Sequence, residues 1–209
     1  MNKVAGVNKP RFITFEGIDG AGKSTHIAWF VDILRQNSEV LLTREPGGTA
    51  LSENLREMLL KYPMHSKTEL MLMFAARLEH VEKIIKPALE RGIRVVSDRF
   101  SDASFAYQGG GRGVNIVQIE QLEQWVLGDL QPDLTILFDL PVHIAMQRLS
   151  NNSTLDRFEK EKGYFFERVR QAYLNRSQQF PHRFILIDAA QTPEKVKENL
   201  ENILSTYCL

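Results

Sequence analysis

The segment Gly17–Ser24 reads GIDGAGKS and matches the phosphate-binding pattern G-x-x-x-x-G-K-S/T. It directly follows an apolar run, Phe12–Phe15, and directly precedes an amphipathic stripe that extends to Leu34. Glycines let successive backbone N–H groups wrap around a polyphosphate, and the start of a helix adds favourable partial charge. The motif therefore predicts nucleotide binding. It does not identify the group that receives a phosphate.

The motif predicts roles for individual residues of this loop. Lys23 is expected to reach the β- and γ-phosphates, and the Ser24 hydroxyl is expected to bind Mg²⁺. The alternative, a chance glycine-rich turn, is disfavoured because the strand and helix that the motif requires flank it. The predicted nucleotide-binding residues are Gly17, Ile18, Asp19, Gly20, Ala21, Gly22, Lys23, Ser24 and Thr25.

Five short, mostly apolar runs alternate with amphipathic stripes along the chain. The runs lie at Phe12–Phe15, Val40–Thr43, Ile93–Ser97, Leu134–Phe138 and Phe184–Ile187. Because polar residues do not alternate within them, these runs are typical of strands buried on both faces of a parallel sheet. Longer helical stretches are predicted at Glu69–Glu90, Val117–Leu127 and Phe158–Gln178. The alternation favours an α/β fold with one doubly wound parallel sheet.

Composition sets limits on the function. A chain of 209 residues with 43% hydrophobic content suits one domain, residues 1–209, with a substantial core. Lys plus Arg equals Asp plus Glu at 26 each, and this neutral total argues against nucleic-acid binding. The chain has no apolar run of about 18 residues and a single cysteine, Cys208, so we expect a cytoplasmic protein that does not span a membrane.

The phosphate loop alone is compatible with several classes of nucleotide-binding protein. A guanine-reading Asn-Lys-x-Asp element is absent, since the only Asn-Lys pairs, Asn2-Lys3 and Asn8-Lys9, precede the phosphate loop. A kinase of a small molecule and a nucleotide-binding regulator without catalysis both stay open. A monophosphate acceptor would carry a charge of roughly −1.5 to −2, so a nucleotide kinase needs cations beyond Lys23.

Arginines follow two of the predicted strands. Arg44 lies in TREPGG at Thr43–Gly48, and Arg99 lies in Ser97–Arg99 after the third run. Either arginine alone could equally belong to a solvated turn. Because the carboxyl ends of parallel strands meet at one edge of a sheet, both are expected near the phosphate loop. Together they predict a clamp for a second phosphate.

A third arginine, Arg77, falls inside an apolar helical stripe. A buried arginine is costly unless it has a partner. Two interpretations stay open: an ion pair with an internal carboxylate, or a base pocket in which Arg77 donates to a base carbonyl. Further along, Ser104 and Gln108 are spaced i, i+4 on a short predicted helix, where both can direct polar groups towards a ligand.

Together these residues resemble the thymidylate kinase family. Its motifs appear in order over nearly the whole chain: the phosphate loop, TREPGGT, a helix similar to F-x-A-x-R, D-R-F/Y/H and AYQGGGRG. They stand here at Gly17–Ser24, Thr43–Thr49, Phe74–Arg77, Asp98–Phe100 and Ala106–Gly113. The resemblance implies transfer of the γ-phosphate of ATP to dTMP, giving dTDP and ADP for dTTP synthesis. It also implies Mg²⁺, a homodimer, and a P-loop NTPase-like parallel five-stranded sheet flanked by helices on both faces.

The resemblance also implies residue roles. Arg44 and Arg99 would hold the dTMP phosphate, Asp98 would help to hold Mg²⁺ with Ser24, and Arg148 would lie against adenine. Asp19 would approach the 3′-hydroxyl, and Tyr107 would crowd the 2′ position. The implied dTMP-binding residues are Arg44, Glu45, Met73, Phe74, Arg77, Arg99, Ser104, Tyr107 and Gln108, and the implied catalytic residues are Lys23, Arg99, Asp19 and Arg157.

The chain departs from the family pattern at two points. Many members have an aromatic residue four positions before the helix arginine, where this chain has Met73, so either Met73 or Phe74 would cover thymine. The lid expected at about residues 148–160 ends in Leu155–Arg157 and has no arginine in its polar stretch Ser150–Thr154. Arg157, either alone or together with Arg148, is therefore predicted to supply the transition-state cation. In the alternative, Arg157 pairs with a neighbouring carboxylate: Asp156, Glu159 or Glu161.

Overall fold

The computed structural model describes residues 9–150, 156–159, 161 and 163–209. Its strands are β1 (Phe12–Glu16), β2 (Val40–Arg44), β3 (Arg94–Asp98), β4 (Leu134–Asp139) and β5 (Phe184–Asp188). All strand pairs are parallel, and the order is β2-β3-β1-β4-β5. The five predicted runs are therefore confirmed as one parallel five-stranded sheet.

Helices connect the strands and cover the sheet. They are α1 (Lys23–Arg35), α2 (Ala50–Lys61), α3 (Ser66–His80), α4 (Lys86–Glu90), α5 (Ser101–Ser104), α6 (Ile116–Leu127), α7 (Val142–Ser150), α8 (Gly163–Gln179) and α9 (Pro193–Ile203). Short π-helical turns at Val81–Ile85, Phe105–Gly111 and Leu204–Cys208 extend α3, α5 and α9. None of the described helices is long and apolar enough to cross a membrane.

The core has two parts, one on each face of the sheet. Along β1, Phe12 packs in one cluster with residues of α3 and α6, whereas its neighbour Ile13 packs in the other with residues of α1, α8 and α9. Successive side chains of a strand point to opposite faces, so helices flank both faces as predicted. Every β1 residue is buried, which explains why this run shows no polar alternation.

Two predicted segments differ in detail. The helix predicted from Phe158 begins at Gly163, because Asp156 Oδ1 accepts the backbone N–H groups of Phe158 and Glu159 and holds a turn there. The loop predicted at Ser150–Thr154 lies outside the described residues, apart from Ser150, which ends α7.

Candidate active site

The phosphate loop sits between β1 and α1 in a conformation that needs its glycines. Gly17, Gly20 and Gly22 have φ values of 141°, 81° and 84°. A Cβ at Gly17 would lie 2.5 Å from the Phe138 carbonyl oxygen, and one at Gly20 would lie 2.6 Å from that of Ala145. The helix begins at Lys23 without a side-chain cap, so its first N–H groups are left for a ligand.

This loop borders a cavity of about 440 Å³. Of the predicted nucleotide-binding residues, Asp19, Gly20, Ala21, Gly22, Lys23, Ser24, Thr25 and Arg148 line it, together with Arg44, Asp98 and Arg99. Gly17 and Ile18 do not: the Gly17 carbonyl oxygen accepts from Lys23 Nζ at 3.2 Å, and Ile18 is buried in the core. The cavity therefore has the loop, the cation and the hydroxyl that a bound polyphosphate requires.

A second, smaller cavity of about 90 Å³ adjoins the first. Residues predicted to bind the acceptor line it: Glu45, Met73, Arg77, Arg99, Ser104, Tyr107 and Gln108. Asp19, Glu45, Arg56 and Arg99 line both cavities. The two cavities thus meet at a boundary that contains two arginines and two carboxylates.

Arg77 occupies the back of the smaller cavity with all three nitrogens engaged. Its Nε donates to Glu45 Oε2 at 2.7 Å, Nη1 to Ser104 Oγ at 3.0 Å, and Nη2 to the Phe100 carbonyl oxygen at 3.0 Å. The guanidinium is 3% exposed, so Glu45 supplies the counter-charge that burial demands. The ion-pair interpretation is therefore confirmed, and the base-pocket interpretation stays a prediction for an arginine that also lines the cavity.

Met73 and Phe74 have different positions. Phe74 is 2% exposed and packs in the core, where its ring lies 4.7 Å from the Arg77 guanidinium carbon. Met73 lines the cavity, one helical turn before Arg77 on the same face of α3. The side chain that the structure presents to the cavity at this point is therefore Met73.

Arg99 joins the two cavities through a dense hydrogen-bond network. Its backbone has φ 69°, and its guanidinium donates to Asp19 Oδ1 at 2.6 Å, the Gly17 carbonyl oxygen at 2.8 Å, Tyr173 Oη at 3.0 Å and Tyr107 Oη at 3.1 Å. Burial would raise the pKa of Asp19, but Arg99, Lys23 and the Tyr107 hydroxyl outweigh it and lower that pKa. An ionised carboxylate and a fixed cation thus meet at the boundary.

Sequence reasoning missed Glu16, a buried carboxylate at the end of β1. It accepts the Phe100 N–H at 2.7 Å and the Tyr173 hydroxyl at 2.8 Å, and so holds the turn that carries Arg99. Burial, followed by the charge of Asp102, raises the pKa of Glu16 to about 8. The only sequence signal was a glutamate immediately before the phosphate loop.

Arg56 was missed as well. It lies on α2, lines both cavities and donates to the Pro46 carbonyl oxygen at 3.1 Å. Among the residues that the structure describes, no carboxylate forms an ion pair with it, whereas Arg44 pairs with Glu53 at 2.8 Å. Burial and the nearby Arg44 charge lower the pKa of Arg56. Of the two arginines at the boundary between the cavities, Arg99 pairs with Asp19, whereas Arg56 has no carboxylate partner among the described residues.

The two arginines that bracket the predicted lid have different surroundings. Arg148 lines the larger cavity and donates to the carbonyl oxygens of Gly20 at 3.4 Å and Ala189 at 3.0 Å. Arg157 lines neither cavity: its Nη2 lies 2.7 Å from Glu69 Oε2, and its Nε donates to the Leu59 carbonyl oxygen. Arg157 is therefore paired with a carboxylate, although with Glu69 rather than a neighbour in sequence.

Comparison with known proteins agrees with this geometry. The family model described as thymidylate kinase matches residues 15–200. The thymidylate kinase of Cupriavidus taiwanensis is 57% identical over 199 residues, covering 94% of this chain and 98% of the relative, and that of Nitrosomonas eutropha is 55% identical over 204 residues, covering 96% and 95%.

A solved structure is similar as well. The crystal structure of thymidylate kinase from Ehrlichia chaffeensis superimposes with a TM-score of 0.76 at 36% identity, covering 92% of this chain and 97% of that one. The phosphate loop, the paired cavities and these matches over nearly the full length agree, and the chain belongs to the thymidylate kinase family.

Proposed function

We propose that the larger cavity binds ATP, that the smaller cavity binds dTMP, and that the γ-phosphoryl group passes between them to give dTDP and ADP. As a member of its family, the chain is an ATP-dependent nucleoside monophosphate kinase. The observation that carries the assignment is that Asp19, Arg56 and Arg99 border both cavities. A phosphoryl group moving between the two nucleotides would meet these side chains.

Charge stabilisation is the main task at this boundary. The acceptor oxygen of dTMP is already largely ionised, so positioned cations contribute more than a general base. Lys23 would hold the β- and γ-phosphates, and Arg44, Arg56 and Arg99 would hold the dTMP phosphate. Arg157 stays a prediction as the transition-state cation. Its contact with Glu69 supports the alternative, in which Arg157 pairs with a carboxylate, and the role would then fall to Arg148 or Arg99.

Mg²⁺ fits the larger cavity. Asp98 Oδ1 is buried and has no hydrogen-bond partner among the described residues, and Ser24 lines the same cavity. No group of three or more metal-binding side chains occurs in the described part of the chain. This suits Mg²⁺, which takes one or two protein oxygens and completes its shell with water and phosphates. When bound by Ser24 and Asp98, it would neutralise phosphate charge.

The residues that line the smaller cavity would recognise the base. Met73 would cover the thymine ring, and Phe74 would support Arg77 from behind. Arg77, Ser104 and Gln108 would hydrogen-bond the base edge. Tyr107 and Asp19, joined by a hydrogen bond of 2.7 Å, would contact the sugar, where the tyrosine would crowd a 2′-hydroxyl.

Assembly and location complete the proposal. The chain would act in the cytoplasm as one domain, residues 1–209, with a lid at about 148–160. A homodimer would form through the neighbouring helices α3 and α6, whose outward side chains include Met71, Leu78, Val117 and Trp125, the last 81% exposed. Such exposed apolar side chains on adjacent helices favour burial against a second copy.

A panel of acceptors tests the proposal. ADP formation is measured with ATP, Mg²⁺ and each of dTMP, dUMP, dCMP and dGMP. The proposal predicts turnover that depends on the acceptor and is fastest with dTMP. Hydrolysis at a rate independent of any acceptor would contradict it.

A further inference from the structure

A buried glutamate lies behind the smaller cavity and contacts three residues from distant parts of the chain. Glu69 is in the first turn of α3 and is 0% exposed. It accepts Gln108 Nε2 at 2.9 Å, and it contacts Arg112 Nε at 3.3 Å and Arg157 Nη2 at 2.7 Å. It follows the spacing of the cavity wall, because Glu69, Met73 and Arg77 are each four residues apart on α3.

The charge around Glu69 determines which way the Gln108 amide faces. A carboxylate held between two guanidinium groups near a helix N-terminus acts only as a hydrogen-bond acceptor. Gln108 must therefore turn its NH₂ group towards Glu69. Its carbonyl oxygen, Oε1, receives no hydrogen bond from any described residue, while Gln108 lines the cavity. The side chain thus offers an acceptor to a ligand and not a donor.

Hydrogen-bond donors lie in the same cavity as this acceptor. Arg77 offers N–H donors in the same cavity, fixed by Glu45 and Ser104. One donor next to one acceptor matches the edge of thymine, where the N3–H donor lies beside a carbonyl acceptor. In the same pose, cytosine would place its N3 acceptor against Gln108 Oε1 and its amino group against Arg77. Unpaired contacts of this kind are what give a polar pocket its selectivity.

We propose that Glu69 is a positioning residue for base selection: it fixes the Gln108 amide so that the pocket accepts thymine and rejects cytosine. The inference rests on the proposed function, in which the smaller cavity binds the acceptor base. Glu69 itself touches no substrate and acts through Gln108.

The decisive measurement is the ratio of kcat/KM for dTMP to kcat/KM for dCMP. In Glu69→Gln the residue at 69 can donate as well as accept, so the Gln108 amide is free to turn over. We expect the ratio to fall about tenfold, the scale of one hydrogen bond. Glu69→Asp keeps the charge for both arginines but shortens the reach to Gln108, so a fall in the same direction is expected if Glu69→Gln does not fold.

A matched control separates this effect from loss of an ion pair. Arg112 also pairs with Glu161, which lines neither cavity. Glu161→Gln removes a carboxylate from the same arginine without touching Gln108, so its selectivity ratio should stay within about twofold of wild type. A similar fall in Glu161→Gln would show that the arginine contacts, and not Gln108, set the ratio.

A double-mutant cycle tests the route through Gln108. In a Gln108→Leu background, adding Glu69→Gln should leave the ratio unchanged, because the amide it positions is gone. The same fold-loss in both backgrounds, or a Glu69→Gln variant with reduced thermal stability and an unchanged ratio, would overturn the inference. Failure of the proposed function would appear differently, as a wild-type protein without any preference for dTMP.

Discussion

Replacing Arg77 by alanine tests stability and substrate recognition at one position. Arg77 is almost fully buried and makes three hydrogen bonds, one of them to the buried carboxylate of Glu45. Removing one member of a buried ion pair costs about 3–5 kcal/mol because the remaining charge loses its partner. Among the described residues, the Glu45 carboxylate would keep only its contact with His80 Nδ1 at 3.0 Å. For a domain of this size that corresponds to a fall in Tm of roughly 6–20 °C, measured by thermal unfolding.

The same change should weaken the use of dTMP. If Arg77 donates to a base carbonyl, its loss weakens transition-state binding by about 1.5–3 kcal/mol, so kcat/KM for dTMP falls roughly 10–150-fold. KM for ATP should change little, because Arg77 does not line the larger cavity. Steady-state kinetics at a temperature well below the variant's Tm, with each substrate varied in turn, measure both constants.

Arg176→Ala is a matched control. Arg176 is also a buried arginine and pairs with Asp102 at 2.9 Å, but it lines neither nucleotide cavity. It should lose comparable stability and keep its dTMP kinetics. If Arg77→Ala and Arg176→Ala lost stability alike and both kept kcat/KM for dTMP within about twofold of wild type, Arg77 would be a structural residue only.

Three further predictions concern catalysis and pH. Lys23→Ala should lower kcat by about 10³-fold or more while the fold persists, as checked by single-turnover kinetics and circular dichroism; near-normal kcat would exclude its role. Arg157→Ala should lower kcat by about 10³-fold if this residue supplies the transition-state cation, whereas a drop under about tenfold with both nucleotides still bound would assign that role to Arg99 or Arg148. The pKa of Glu16 is raised by folding to about 8, so the folded protein holds more protons than the unfolded chain above the ordinary glutamate range. Stability contributed by this group is therefore lost as pH rises from about 5 to 8, and Glu16→Gln should become progressively more stable than wild type over that interval in urea unfolding. A stability difference between the two that does not change with pH would contradict the raised pKa.

The sequence predicts the elements whose signals are local. All five strands and the phosphate loop follow from apolar runs and glycine spacing, and the structure places them where those patterns indicated. Arg44 and Arg99 both line the larger cavity beside the phosphate loop, as expected for residues at the ends of parallel strands, and their role as a phosphate clamp stays a prediction. In the β2–β3 pairing, Arg44 lies opposite Asp98.

Contacts between distant segments could not be predicted in this way. The partners of Glu16, Phe100 and Tyr173, are 84 and 157 residues further along the chain. Glu69 contacts Gln108, which is 39 residues away, and also the still more distant Arg157. A buried carboxylate in a strand or helix reads as one polar residue among many until its partners are known. The choice between Met73 and Phe74 depended on the rotation of α3, which only packing fixes.

Following the transferred phosphate distinguishes direct transfer to dTMP from hydrolysis of ATP. The protein is mixed in a single turnover with ATP labelled at the γ-phosphate, with and without dTMP, and the products are separated. Direct transfer predicts that label moves into dTDP at a rate set by dTMP binding, with only slow release of inorganic phosphate when dTMP is omitted. Label appearing as inorganic phosphate at the same rate with and without dTMP would contradict direct transfer between the two cavities.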